Sequence, residues 1–201
     1  MNLSFKQYRA IDLTIMAVLL AISEAVVTIA AAKWFRYMPF SLSTTLAIVC
    51  IVMMRWDKFA VIHAVIGGCV YCLAAGATPE QFAVYCAGNC GILAALVLFK
   101  IFGKQKIQEK FYMSLVFVAV AYCGMQLGRW AVSLAFGGEP ANILMFFAGD
   151  GLTAFFAAMA VLIARRMDGL FEDQRTYLLR INEEERKKRE AQEKENHLFY
   201  D

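Results

Sequence analysis

Long apolar segments follow one another through most of this chain, and they constrain its fold more than any other feature. A helix needs about 17 to 25 mostly apolar residues to cross a bilayer, and four segments meet this requirement easily. The segments at 39–54 and 59–77 are shorter, and the turn between them at 55–58 predicts a helical hairpin. We therefore predict an all-α integral membrane protein with six transmembrane helices, at 11–32, 39–54, 59–77, 81–102, 111–136 and 141–164.

The composition supports this class of protein. Hydrophobic residues make up 60% of the chain, whereas soluble domains usually contain about 45 to 50%. The alternative is a soluble helix bundle with a buried core. It is disfavoured because soluble bundles do not run apolar segments of about 22 residues in series.

The charges of the loops predict how the helices are oriented. Cations collect on one side, whereas the opposite loops carry only Lys33 and Arg36. Because cytoplasmic loops carry an excess of Lys and Arg, we expect both termini in the cytoplasm and the first helix to act as a signal anchor in the cell membrane. The net charge of +3 arises from these loops and gives no indication of nucleic-acid binding. The predicted cytoplasmic cations are Lys6, Arg9, Arg55, Lys58, Lys100, Lys104, Lys106, Lys110, Arg165 and Arg166.

The composition changes abruptly after Arg165, which divides the chain into a transmembrane domain at 1–166 and a charged, helical cytoplasmic tail at 167–201. In the tail, acidic residues at 183–185 precede basic residues at 187–189 by four positions, the order that stabilises a helix. Two interpretations of the start of the tail stay open. Its apolar residues lie on the membrane surface or dock a partner, or the whole tail is a solvated extension. These apolar residues are Leu170, Phe171, Tyr177, Leu178 and Ile181.

Polar residues within the predicted spans collect at one depth. A helix rises about 1.5 Å per residue, which places several of them roughly 10 to 13 Å below the outer surface. Charged groups in a bilayer are costly, so they indicate a functional site by default. This layer consists of Glu24, Asn89, Arg129 and Asp150, with Gln126 one turn deeper and Tyr85 one turn shallower.

Two interpretations of this layer also stay open. The first is a ligand pocket, because the first outer loop brings cations and aromatic side chains above the layer, and small-molecule sites combine such walls with a few polar groups. The second is a network in which Arg129 pairs with Asp150 or Glu24 and holds the helices together. The loop residues that we assign to the pocket are Lys33, Trp34, Arg36 and Tyr37.

The six cysteines all fall inside predicted spans, which disfavours a secreted disulfide framework. We expect them to pack as small apolar side chains. The alternative is an intramembrane thiol oxidoreductase that uses the C-x-x-C spacing of Cys69 and Cys72, with Cys86 and Cys90 sharing a helix face. His63 has no second ligand at a suitable spacing, so no metal or cofactor is expected, and no ATP-binding motif is present.

Small residues suggest where helices approach each other closely. Ala17, Ala21 and Ala25 form a stripe along the first span, and Gly124 and Gly128 have the same spacing in the fifth. Packing within the bundle explains either pattern equally well. By helical phase Glu24 shares the face of the alanines, so we leave it out of the ligand set.

Six spans, inside termini, the alanine stripe, the aromatic outer loop and the polar layer together resemble the substrate-binding S component of an energy-coupling factor (ECF) vitamin transporter. The resemblance covers about residues 8–166 and leaves out the charged tail. It implies that the chain is not an enzyme, that it binds a water-soluble vitamin or related heterocycle, and that it docks through the alanines on a transmembrane coupling subunit with two ATPase subunits. The residues that it assigns to the ligand are Lys33, Trp34, Arg36, Asn89, Gln126, Arg129 and Asp150.

The main rival is a self-sufficient secondary transporter in which Glu24, Arg129 and Asp150 relay protons. The sequence disfavours it, because it shows no inverted repeat and no pair of broken helices.

Overall fold

The computed structural model describes residues 4–34 and 41–200, apart from the side chains of 191 and 193–200. The chain is 87% helical, and the described residues contain no β-strand. Within the described ranges, three 3-10 segments lie between the α-helices, at Asp57–Phe59, Asn89–Ala95 and Pro140–Asn142. The α-helices are α1 (Phe5–Trp34), α2 (Thr45–Trp56), α3 (Ala60–Ala75), α4 (Pro79–Gly88), α5 (Leu96–Phe102), α6 (Lys104–Glu109), α7 (Phe111–Ala135), α8 (Ile143–Gly149), α9 (Gly151–Ala164) and α10 (Gln174–Tyr200).

Several of these helices have the length and composition of membrane spans. Within the described ranges, four stretches qualify, and the bent pair α8 and α9 makes a fifth if it counts as one span. The exposed side of α1 is apolar, with Ile15 60%, Ile22 61% and Val26 61% exposed. A continuous apolar face suits lipid better than water. The four stretches are Phe5–Trp34, Thr45–Ala75, Pro79–Phe102 and Phe111–Ala135. The chain therefore has the helices of a multi-pass membrane protein.

α2 occupies the centre of the bundle. Each of its residues is buried, as expected for a helix that is apolar on all sides. It packs against α1, α3, α7 and α9. After α2 the chain turns at Asp57, whose φ is 50°, and the side chain of Thr45 lies directly against Gly67 of α3. Thr45–Ala75 is thus a hairpin of two antiparallel arms, as predicted from the turn at 55–58, although its length alone would suit one span.

The bundle has two ends, which differ in charge. We call the end that carries the α3–α4 turn at Gly76 the upper end, and the end that carries Asp57 and Gly103 the lower end. Arg55, Lys58 and Lys104 lie at the lower end, whereas Lys33 is at the upper end of α1.

The start of the tail packs into the lower end rather than into solvent. Phe171 is 1% exposed and contacts Phe117 with ring centroids 6.2 Å apart. The side chain of Gln174 donates to the Gly169 carbonyl over 2.8 Å and accepts from the Tyr8 hydroxyl over 3.0 Å. From 182 to 190 the tail is exposed. Neither interpretation included this contact, in which the start of the tail docks on its own bundle before the chain enters solvent.

Candidate functional site

The polar layer begins where one helix changes its form. α4 ends at Gly88, and the next seven residues, Asn89–Ala95, form a 3-10 helix. Segments of this type longer than about 3 to 4 residues are uncommon and mark a hinge or strain. Asn89 is 1% exposed, and its amide nitrogen donates to the Ala64 carbonyl over 3.3 Å. The amide oxygen of Asn89 remains free to accept a hydrogen bond from a side chain of α7.

Four glycines bring this segment against α7. A Cβ at Gly91 would overlap the carbonyl of Gly124, and a Cβ at Gly128 would overlap the carbonyl of Gly88. The backbones therefore touch, and the Gly124–Gly128 spacing serves packing inside the bundle. Because Gly88 also lies against the backbone of Arg129, the side chain of Arg129 starts beside Asn89.

Arg129 is the centre of the layer. It is 3% exposed, and its Nε donates to the Asn89 amide oxygen over 2.8 Å. Its Nη1 forms an ion pair with a carboxylate oxygen of Asp150. The guanidinium carbon lies 4.5 Å from the ring centroid of Tyr85, a distance typical of a cation–π contact. One buried cation is thus held by an amide, a carboxylate and an aromatic ring.

Asp150 lies at a break between helices. α8 and α9 meet there at an angle of 48°, and the carboxylate stands at the N-terminus of α9, where a negative charge is favoured. One of its oxygens also accepts from the Gln126 amide over 3.1 Å, and the other accepts from the Ser41 hydroxyl. Asn89 lies where the continuous helical stretch Pro79–Phe102 changes to 3-10 geometry, and Asp150 lies at the bend between two helices. Among the described residues one bent pair of helices occurs, Pro140–Gly149 with Gly151–Ala164, and the apolar pattern of the sequence does not reveal this bend.

Tyr85 connects this network to the upper surface. Its ring stacks on Tyr71 of α3 with centroids 4.8 Å apart, and it also lines a cavity of about 320 Å³ at the upper end. The other walls come from the start of α4 and from the chain after α7. They are Glu80, Gln81, Val84, Ser133, Phe136, Gly137, Gly138 and Phe146. A small polar ring compound fits a space of this size, which lies on the low side of the range for ligand pockets.

Both interpretations of the layer find support in the contacts. The side chains of Asn89, Arg129 and Asp150 satisfy one another, as a structural network requires. The cavity beside Tyr85 adds open space with polar and aromatic walls, as a ligand site requires. Of the predicted residues, the structure brings together Tyr85, Asn89, Gln126, Arg129 and Asp150.

Glu24 contacts the start of α2 rather than the side chains around Arg129. It is fully buried, and one carboxylate oxygen accepts from the Thr44 N–H over 2.7 Å and the Thr45 N–H over 2.9 Å. The carboxylate therefore caps the first turn of α2, together with the Ser43 hydroxyl, which also accepts from the Thr45 N–H over 3.1 Å. The predicted span at 39–54 began too early, because 41–44 are not helical and α2 begins at Thr45, where these bonds start.

The remaining predicted residues lie apart from the network. Lys33 and Trp34 end α1 and are exposed, Trp34 by 80%. Arg36 and Tyr37 fall outside the described residues. The docking candidates Ala17, Ala21 and Ala25 are half-buried, next to a buried stripe of α1 that faces the bundle. That stripe consists of Met16, Leu20, Glu24 and Thr28, so Glu24 points inward and not toward a partner.

A second polar cluster at the lower end was not predicted. Arg55 is 8% exposed, and its guanidinium binds Asp12 over 2.6 Å and the Leu170 carbonyl over 3.2 Å. Lys104 bridges Asp57, at 2.9 Å, and Asp173. Partial burial acts to raise the pKa of Asp173, but the hydrogen bond and charge of Lys104 outweigh it, so this pKa lies below its ordinary value. The isolated Asp12 in the first span was the signal that could have revealed this cluster.

The cysteines are free thiols. Among the described residues, no group of three or more His, Cys, Asp or Glu side chains could hold a metal ion. His63 is buried, and its Nε2 contacts the Leu13 carbonyl over 3.0 Å.

No family model, curated protein or solved structure matches this chain. Its function must therefore be argued from the site itself.

Proposed function

We propose that this chain is the substrate-capturing S component of an ECF-type importer. It binds a water-soluble vitamin or a related heterocyclic solute from the outer side and passes it on with a coupling subunit and two ATPase subunits. ATP hydrolysis takes place on those partners. The chain crosses the cell membrane six times with both termini in the cytoplasm, and the upper end is the outer end. The excess of cations at the lower end supports this orientation.

The observation that carries the proposal is the position of Tyr85. This side chain contacts the buried cation Arg129 and also lines the upper cavity. A planar ligand in the cavity can stack on the ring of Tyr85, which the contact with Arg129 holds in place. Gln81 and Ser133 at the wall offer hydrogen bonds that fix its orientation.

The test is to purify the chain alone in detergent, denature it, and identify by mass spectrometry any small molecule that is released. We expect one compound in a near one-to-one ratio. Tyr85→Ala should lower the affinity for that compound at least tenfold, and Tyr85→Phe should retain most of it. Tyr112→Ala is the matched control, because Tyr112 is an exposed tyrosine at the lower end of α7. Equal affinity in Tyr85→Ala and wild type would exclude the cavity as the binding site.

The second candidate function is a proton-coupled secondary transporter. The bend at Asp150 favours it, since such transporters bind solute and coupling ion at broken helices. The two candidates differ in what drives uptake. Liposomes that contain this chain alone and the released compound should show no concentrative uptake under an inward proton gradient if the chain is an S component. Concentrative uptake under that gradient would favour the secondary transporter.

A further inference from the structure

Two cysteines from different helices lie in contact. The Sγ atoms of Cys69 in α3 and Cys86 in α4 are 3.3 Å apart. They are separated by 16 residues that include the turn between the two helices. The pair therefore lies between α3 and α4, about two helical turns below the upper end.

The backbone holds the two sulfurs together. A Cβ at Gly68 would lie 2.8 Å from the Tyr85 carbonyl oxygen and 2.9 Å from the Cys86 Cα, which leaves room for a glycine and no other residue. α3 and α4 thus approach most closely beside Cys69 and Cys86. A disulfide needs the sulfurs at about 2.05 Å, so a further approach of roughly 1.2 Å completes the bond.

The pair is accessible from one side of the bundle. Cys69 and Cys86 are both half-buried, and Leu73, one turn from Cys69, is 72% exposed. Cys72 differs, since it is fully buried and contacts the Gln81 carbonyl over 3.8 Å. The C-x-x-C spacing therefore does not identify the thiols that meet.

We propose that Cys69 and Cys86 form an oxidation site, at which a disulfide links α3 to α4. Two S–H bonds break and one S–S bond forms. The two electrons and two protons reduce one molecule of dissolved oxygen to hydrogen peroxide. Oxygen is a suitable oxidant because it dissolves in apolar surroundings such as those beside Leu73.

The link affects the polar layer directly. Tyr85 precedes Cys86, and Tyr71 follows Cys69 by two residues, so the bond fixes the two helices that carry the stacked rings. This inference rests on the thiol geometry alone and stands whether or not the chain is a transporter.

The test uses full-length protein with a protease site inserted after Gly76. This turn is open, since nothing lies within 4 Å of a Cβ at Gly76. The purified protein is exposed to air with copper–phenanthroline as catalyst, cleaved, and run on a denaturing gel. We expect the two fragments to stay joined without reductant and to separate with it. Fragments that separate without reductant, from protein that was folded during oxidation, would overturn the proposal.

Serine variants identify the bond. Cys69→Ser and Cys86→Ser should each abolish the joined species. Cys72→Ser, one turn away on α3, and Cys90→Ser, in the 3-10 segment after α4, should retain it. The opposite pattern would assign the bond to other cysteines and contradict the proposal. Mass spectrometry of the joined wild-type species gives the linked peptides directly, so the result holds even where a variant fails to fold.

Discussion

Arg129 is a buried cation whose charge is balanced by one carboxylate, that of Asp150. Both side chains are nearly excluded from solvent, at 3% and 7% exposure. A buried ion pair repays its desolvation cost when its geometry is good and further hydrogen bonds satisfy it, as Asn89 and Gln126 do here. Removal of one partner leaves an uncompensated charge in an apolar bundle. The two residues are therefore energetically coupled.

This coupling is measurable at the level of single residues. We expect Arg129→Met to destabilise the protein by about 3 to 5 kcal/mol, because Asp150 loses its cation. The double variant Arg129→Met with Asp150→Leu should recover much of this loss, since no unpaired charge remains. Unfolding of each variant in detergent measures the effect. A double variant less stable than the single one would show that the unpaired charge of Asp150 does not explain the loss of stability in Arg129→Met.

Residue depth was the part of the site that the sequence could predict. Position along a helix converts directly to depth, and Asn89, Arg129 and Asp150, predicted at one level, lie in contact. Depth does not predict in which direction around the helix axis a side chain points. It could not separate Glu24, which bonds to α2, from Arg129, and it could not find Ser41, which lies outside any helix.

At the level of elements, α2 depends on a carboxylate from α1. Glu24 satisfies the N–H groups of Thr44 and Thr45, which have no intrahelical partner. Glu24→Ala should therefore cost about 1 to 3 kcal/mol, because the buried Thr44 N–H loses its acceptor, whereas the Thr45 N–H keeps the Ser43 hydroxyl. Glu24→Gln keeps an oxygen acceptor and should cost less. Amide exchange at Thr44 reports the contact, and unchanged protection of this N–H in Glu24→Ala would contradict this role.

The crossing of α7 with the 3-10 segment depends on glycine. A methyl group at Gly91 would overlap the carbonyl of Gly124, so Gly91→Ala must push the two backbones apart. We expect a loss of about 1 to 3 kcal/mol, as for other overpacked sites. Gly151→Ala is the matched control, because a Cβ there meets nothing within 4 Å. Thermal unfolding of both variants in detergent checks the prediction, and equal stability would contradict it.

At the scale of the whole molecule, the helical class and the apolar stretches followed from segment length, because crossing a bilayer fixes how many apolar residues a helix needs. The packing of those helices did not follow. An apolar run such as α2 has the same pattern whether it faces lipid or lies in the centre of a bundle. The docking of the tail could not be predicted either, because its contacts are distant in the sequence. Phe171 contacts a residue of α7 more than 50 positions away, and Gln174 contacts a residue of α1 more than 160 positions away.

The tail supports a prediction about domain division. Deletion of 182–201 should leave the stability of the bundle unchanged, because the described side chains in that range are exposed. Deletion of 167–201 should lower it, because Arg55 loses the Gly169 and Leu170 carbonyls and Phe117 loses Phe171. Thermal unfolding of the two truncated proteins in the same detergent compares them. Equal stability would support a boundary at 166, as the sequence predicts.

The last prediction separates capture from delivery in the proposed importer. Ala21 is half-buried on α1 and stands at the middle of the alanine stripe, where a coupling subunit would need close approach. Ala21→Trp should therefore abolish uptake with the partner subunits present, while the isolated chain binds its ligand normally. Ile22→Trp is the control, because Ile22 is 61% exposed on the apolar side, where lipid accommodates an indole. Loss of ligand binding in Ala21→Trp would instead assign the stripe to packing within the bundle, and normal uptake would exclude it as the docking surface.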